Sequence, residues 1–481
     1  MKFSTRKFEQ DRNIFEAYLT IGGLLFFLCM LIFSIVYFKE RMLYYDSANN
    51  TFKLVQFENF AIPALRYSKL LVQLIPVALL KLNFSLKIIV ISYSVSFVLL
   101  YYTLFHLAVF KLKNLGAGLL IIFVLVVGVR HAFYYTTTET PQGLAYLGLF
   151  LAWLYFSSDQ AVNGFKFYSI GLLIILLAFF SHPITLFPLL FIIGFHMIDT
   201  KSFKKSRAYI LIGIIALIYI AKFAVTPANS YEGSFFSRFV DYKSLLNDFG
   251  KSYSFRFMKP RMYSIYLITW IGFLITSSYY FVSKKYLKLA FYLAFSGIFI
   301  IILFLTFQKG DSNIAMEKNI MPLNFIILMP IIIEIFRRKD VNIIRISAYL
   351  LLAFSILWSS YHVFNTRKVY HKRIVYLEQM INVARQQDNK KFIIKKEVLN
   401  PNKIMVEYAL STETLLLTSI EGPDSSLTIH YVSNRMKNKF RTDMEDLFFF
   451  TQYWPTIPMD QLNKRFFHLP DGKYSELKEI D

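Results

Sequence analysis

Two acids stand where apolar sequence gives way to polar sequence, and both are placed to move protons. Asp46 follows the apolar run Phe15 to Phe38, within Tyr44-Tyr45-Asp46-Ser47-Ala48, and Glu139 closes Tyr134-Tyr135-Thr136-Thr137-Thr138-Glu139. A carboxylate at a lipid–water boundary is partly desolvated, which raises its pKa and makes it a stronger base. Asp46 and Glu139 are therefore the candidate catalytic acids. The plainer reading is that Asp46 caps the next helix and Glu139 is solvated beside one. Arg66, Arg130, Arg256, Lys259, Arg261 and Lys318 lie in the polar segments between apolar runs. Charge-assisted hydrogen bonds from such groups can clamp a phosphate or pyrophosphate, against a plainer role of touching lipid headgroups. His182, before Pro183, is an ionisable side chain inside apolar sequence and so a binding candidate. Its alternative is a kink partner bonded to a carbonyl the proline frees. Tyr44, Tyr45, Tyr134 and Tyr135 are placed to stack on a sugar ring, and Glu334 reads as an ion pair with Arg337 and Arg338.

The elements that must position these residues are mostly membrane helices. A chain that is 56% hydrophobic and 18% aromatic is no ordinary soluble domain. Its apolar runs predict about eleven spans of a helical bundle. They are Phe15–Phe38, Ser85–Phe110, Leu115–Val129, Gly143–Phe156, two short spans within Tyr168–Ile198 turning at His182, Ala208–Val225, Tyr263–Val282, Leu289–Phe307, Ile320–Phe336 and Ile343–Phe364. Basic residues are denser in the short segments near Lys111, Lys166, Lys201 and Lys284 than in the longer ones, which predicts a cytoplasmic N-terminus. Four outer loops then converge: 39–69, 130–142, 226–262 (with Glu232, Arg238, Asp241 and Asp248) and 308–319 (with Asp311). Residues 67–82 read as an amphipathic piece at the interface, and Thr140-Pro141 as an N-cap with proline at the first helical position. Cys29 is the single cysteine, so the chain makes no internal disulfide.

The net charge of +22 lies mostly in residues 1–364, with 35 Lys+Arg against 16 Asp+Glu. This excess flanks the spans and suits membrane lipid, whereas a basic chain embedded in lipid offers nucleic acid no exposed groove-sized element. Residues 1–364 form the predicted membrane domain. Residues 365–481 form a small extramembrane α/β or α+β domain. In it, a helix through Ile374 and Ala384 precedes predicted strands at Lys391–Ile394, Thr414–Ile420 and Ser426–Val432, the last two joined by Gly422-Pro423-Asp424.

With these residues in view, the chain resembles the GT-C superfamily of polytopic glycosyltransferases, which includes protein O-mannosyltransferases and the aminoarabinose transferases of lipid A. The resemblance covers residues 10–364. It rests on an inside N-terminus with Asp46 just after the first span, amphipathic segments in the first outer loop, and Glu139 before a later span. Its fourth feature is Glu317-Lys318-Asn319-Ile320-Met321-Pro322, similar to the opening of a late span in those families. Many relatives pair two acids in the first loop, whereas here Asp46 is followed by Ser47. That departure leaves open a divalent metal, Mg or Mn, on Asp46 and Glu139. The resemblance implies a polyprenyl-phosphate-linked sugar donor and transfer on the outer face, to a glycan, lipid or protein acceptor. The expected mechanism is inverting displacement, with Asp46 as base and outer Arg and Lys groups on the departing phosphate. The family also implies a bacterial inner membrane, with the C-terminal domain periplasmic. Three other classes compete: a glycan polymerase or ligase, a lipid-linked sugar flippase or transporter, and a scaffold docking partners through residues 365–481. The flippase reading is weakened by the absence of an internal repeat and of acids at the midplane.

Overall fold

A computed structural model describes residues 2–136, 138–204, 206–225, 249–307, 312–337, 342–432, 447–451 and 456–477. Glu232, Arg238, Asp241, Asp248 and Asp311 lie outside the described residues. The chain opens with a long helix α1 (Lys2–Val36), a single turn and a half α2 (Phe38–Met42), α3 (Tyr45–Gln56), α4 (Lys69–Lys81) and α5 (Leu86–His106). Next come α6 (Leu115–Val126), α7 (Glu139–Asp159), α8 (Gly164–Phe179), α9 (Leu186–Asp199) and α10 (Ser206–Val225). After the undescribed stretch follow α11 (Tyr253–Met258), α12 (Leu267–Val282), α13 (Tyr286–Thr306), α14 (Asn313–Arg337) and α15 (Asn342–Arg385). Each apolar run expected to span overlaps one of these helices, and Tyr168–Ile198 overlaps two, but the runs through Phe38, Phe110, Val129 and Tyr263 extend past the helix ends. Among the described residues, five stretches are long and apolar enough to cross a membrane: Ile14–Val36, Leu86–Lys111, Tyr286–Thr306, Asn313–Phe336 and Ser347–Arg385.

A helix that is apolar all round is buried in protein or in lipid, and both cases occur here. α6 is buried from Gly116 to Val126, and α7 almost throughout. These two pack on each other, and α6 packs on α14. α1, α10 and α13 instead turn side chains such as Leu25, Leu217 and Ile298 outward. Side-chain caps start α6 and α8: Asn114 accepts from the Ala117 amide (3.0 Å) and Asn163 from the Lys166 amide (2.9 Å). At the far end of α7, Glu334 pairs with Lys285 (2.9 Å) and Lys288 (2.6 Å), and Lys288 also with Asp199 (2.5 Å). Glu334 is thus ion-paired, but with Lys285 and Lys288; the side chains of the expected partners Arg337 and Arg338 lie outside the described residues.

Beyond α15 the chain adds β1 (Lys391–Lys395), α16 (Pro401–Ile404), α17 (Leu410–Ser419) and β2 (Thr428–Val432). Short strands β3 (Phe448–Phe449), β4 (Ile457–Pro458) and β5 (Ser475–Glu476) follow. The sheet runs β2-β1-β5 with both pairings parallel, so the helices between β1 and β2 form an α/β crossover. Residues 364 and 365 lie inside continuous α15, which carries the chain from the bundle into this region.

Four expectations need correction. Thr414–Ile420 is not a strand but most of α17, buried from Leu410 to Ser419; a fully buried helix shows no periodicity to separate it from a buried strand. Residues 39–69 are not an open loop, because α2 and α3 fill much of them. Helix α7 starts at Glu139, so Pro141 lies in its first turn rather than at its first position. α14 begins at Asn313, which places Glu317 and Lys318 on a helix rather than in a loop.

The exit from α6 toward the 130–139 segment depends on Gly128. Its φ of +72 is a left-handed conformation, and a Cβ there would lie 2.1 Å from Asn324 Nδ2. That amide donates to the Val127 carbonyl (3.3 Å), and Asn324 Oδ1 accepts from Thr269 (3.0 Å). Gly128→Ala combines overpacking with backbone strain and is expected to cost about 1–3 kcal/mol. Gly22, with nothing near its Cβ position, is the control. Melting in detergent should show a lowered Tm for Gly128→Ala and none for Gly22→Ala; equal Tm values would refute the tight turn.

Candidate functional site

Asp46 sits in the first turn of α3, and the residue before it is strained. Tyr45 has φ +54, a conformation costing about 1–2 kcal/mol in a residue with a Cβ. Three contacts hold it there. Its amide donates to Glu413 Oε1 (2.7 Å), its ring meets Tyr408 edge-on at 4.3 Å, and it lies 5.6 Å from the Tyr135 ring. Glu413 comes from buried α17, and its other oxygen binds Arg373 of α15. Arg373 also donates to the carbonyls of Ile404 (2.9 Å) and Leu43 (3.4 Å). The C-terminal region grips α3 further along: Thr412 donates to Asn49 (2.7 Å), and Phe52 packs between Phe449 and Phe467.

Around Asp46 the structure gathers groups from four separate segments. Tyr135 donates its hydroxyl to Asp46 Oδ2, and Lys318 Nζ lies 4.7 Å above the Tyr135 ring. Glu139 Oε1 and Lys69 Nζ are 2.6 Å apart, both side chains largely buried. Glu139 occupies the first turn of α7, where unsatisfied amides favour a negative charge. Arg66, also buried, donates to the Ser181 carbonyl (2.7 Å) beside His182. His182 Nδ1 accepts from the Ile184 amide (3.2 Å), so this nitrogen caps the turn between α8 and α9. Gly143 lets α7 approach that turn: a Cβ there would lie 2.5 Å from Thr185 Cγ2.

The shared field separates the two carboxylates. Burial lifts Asp46 above the ordinary carboxylate range, and the Tyr135 hydrogen bond, Lys318 and Lys69 offset that only in part. Burial would lift Glu139 too, but Lys69, Lys318 and Arg66 outweigh it and hold Glu139 below that range. One acid is thus poised to accept a proton, and the other stays ionised. Burial also pushes Lys53 of α3 down to about 8, against the pull of Asp46. Burial and Arg66 keep His182 neutral. Among the described residues, the two carboxylates thus share one field with Lys53, Arg66, Lys69 and Lys318. Chemically, such a site can deprotonate a hydroxyl beside a bound anion.

Arg130 and Arg261 belong to an adjoining cluster. Glu317 Oε2 accepts three backbone amides, from Arg130 (3.0 Å), His131 (2.7 Å) and Ala132 (3.0 Å), and so anchors the segment carrying Tyr135 and Glu139. Arg130 Nε donates to Thr366 (3.3 Å), and burial with Arg130 and Arg261 pushes His131 down to about 4. Arg261 donates to the Phe257 carbonyl (2.9 Å) and stacks on that ring. Arg256 and Lys259 are exposed. Among the described residues, none of Arg130, Arg256, Lys259 and Arg261 forms an ion pair with Asp46 or Glu139.

The structure thus brings together Asp46, Glu139, Arg66, His182 and Lys318, and adds groups that sequence reasoning passed over. Lys69 reads as a helix-end lysine, although its spacing from Arg66 puts both on one short segment. Lys53 carries no signal of its own in the sequence. Glu413 stands among Ser411, Thr412 and Thr414, so the sequence around it gives no sign of its burial. No group of three or more His, Cys, Asp or Glu side chains able to share a metal ion occurs among the described residues. No family model, curated protein or solved structure matches the chain.

The Glu139–Lys69 pair makes a stability prediction. Glu139→Gln leaves Lys69 buried without its counter-charge and should cost about 3 kcal/mol. Lys69→Met added to it should recover most of that loss. A double-mutant cycle of Tm values checks this; additive losses would mean that the pair is not coupled.

Proposed function

We propose that the chain is a membrane glycosyltransferase of GT-C type. It moves a sugar from a polyprenyl-phosphate carrier to an acceptor hydroxyl on a glycan, lipid or protein. The observation that carries this reading is one buried site in which Tyr135 holds Asp46, with Lys318 over the Tyr135 ring and the Glu139–Lys69 pair beside them. In this reading all eleven apolar helices cross the membrane. Where α6 is short, about 18 Å of rise, residues 127–129 complete the crossing inside protein, where non-helical backbone is tolerated. Lys111, Lys166, Lys204 and Arg207 gather at the opposite end of the bundle, which supports an outer location for Asp46. The setting is then a bacterial inner membrane, with residues after α15 in the periplasm.

The acceptor oxygen attacks the anomeric carbon as the carbon–oxygen bond to the carrier phosphate breaks, inverting the centre. Asp46 takes the acceptor proton, and Tyr135 orients its carboxylate. Lys318, which has no ion-pair partner among the described residues, meets the charge growing on the carrier phosphate, with Arg66 behind it. Glu139 holds Lys69 in place rather than serving as a second base, because the same cations keep it ionised. Asp46 and Glu139 suit a Mg or Mn ion poorly, since Glu139 is engaged by Lys69 and the surrounding charge is positive; no step is assigned to a metal.

Mass spectrometry of envelope glycans should compare wild type, a deletion strain, and Asp46→Asn at normal membrane levels. The deletion and Asp46→Asn should lose the same sugar, with turnover down about 10²–10⁴-fold. A sugar retained in Asp46→Asn would sink the reading. The pH dependence has a defined sign. The base works ionised, so turnover should rise with pH through a midpoint above the usual carboxylate range. A raised folded-state pKa costs stability once pH passes it. Asp46→Asn should therefore melt higher than wild type at neutral pH, the gap closing on acidification.

A further inference from the structure

The end of the bundle opposite Asp46 contains a cavity of about 500 Å³ between the α7–α8 and α9–α10 turns. From Glu139 to Ser157, α7 rises about 27 Å, close to the ~30 Å of a bilayer's hydrocarbon core. The cavity and the Asp46 site thus lie about one membrane thickness apart. One wall is apolar, made by Leu154, Phe167, Ile193 and Leu211. The rest is polar: hydroxyls of Ser157, Ser158, Ser202 and Ser206, the His196 ring, and the cations Lys204 and Arg207. Among the described residues, no carboxylate lines it.

The polar groups are arranged rather than scattered. Arg207 Nη1 donates to the Val162 carbonyl (3.0 Å), and its guanidinium stands 5.5 Å from the Phe167 ring, which fixes the side chain at the rim. Ser158 and His196 are hydrogen-bonded at 3.2 Å. Lys204 is exposed and has no ion pair among the described residues. The long helix α10 begins at Ser206, so its first-turn amides add positive potential beside Arg207 and Lys204.

We propose that this cavity binds an anionic phosphate ester, its phosphate against Lys204, Arg207 and the start of α10. An attached apolar chain would lie along Leu154, Phe167, Ile193 and Leu211. The cations account for the phosphate and the apolar wall for a tail, a pairing that points to a membrane phospholipid over a soluble ester. Native mass spectrometry of the delipidated full chain in detergent separates the two sources. The probes are phosphatidylglycerol, phosphatidylcholine and glycerol phosphate. Phosphatidylglycerol should bind in preference to phosphatidylcholine. Lys204→Glu should weaken it at least tenfold, and Lys111→Glu, at another exposed lysine of the same end, should leave it unchanged. Glycerol phosphate binding as tightly, and as dependent on Lys204, would overturn the lipid source. Equal loss in Lys111→Glu, or no loss in Lys204→Glu, would reduce the effect to general headgroup attraction and overturn the site.

Discussion

The carboxylate of Glu413 divides its oxygens between Arg373 and the amide of Tyr45, and the geometry around Asp46 depends on that division. A buried acid is tolerable only when its charge is answered locally. Arg373 supplies the counter-charge, and its remaining donors reach carbonyls on α16 and at the end of α2. Tyr45 supplies the second partner by adopting a left-handed backbone. The strain points Asp46 toward Tyr135 and is offset by a hydrogen bond from a distant part of the chain. Residues after α15 are therefore structural partners of the first polar segment, whatever else they do.

A similar division of labour operates on α14. Glu317 and Lys318 are neighbours, yet they serve different clusters. Glu317 collects the amides of residues 130–132, and Lys318 faces Tyr135 and the two acids. Successive helical residues point about 100° apart, so one dipeptide can anchor a loop and also present a cation to the space beside it. Moving the loop would move Tyr135 and Glu139 together, which makes Glu317 a positioning residue for the whole site.

Much of the bundle was legible because lipid leaves few choices: long apolar runs can satisfy their backbone only as helices. The turn at His182 and the strands at Lys391 and Thr428 were legible for equally local reasons, a proline in one case and β-branched runs bounded by turns in the others. Thr414–Ile420 was misread because burial on all sides erases the period that separates helix from strand. At the site, Asp46, Glu139 and Lys318 were legible as charges at apolar boundaries. Lys69 and Lys53 were not, since nothing local tells a lysine that will be buried from one that snorkels to water. The placing of Arg256 and Lys259 with the phosphate-clamping cations rested on loop convergence, which sequence cannot resolve to the scale of an ion pair.

Asp46 and Glu139 show why residue type alone does not assign a role. Both are carboxylates at the start of a helix, both are desolvated, and both feel Lys69 and Lys318. The difference is contact. Glu139 has an ammonium at 2.6 Å, and a direct pair in a poorly polarisable setting outweighs burial. Asp46 has a neutral hydroxyl as its hydrogen-bond partner, which orients the carboxylate without cancelling the cost of its charge. Lys69 thereby sets Glu139 apart as a fixed anion, and Asp46 remains the acid whose proton is easily exchanged. A carboxylate of that kind beside Lys318 suits the displacement from a phosphate carrier proposed above.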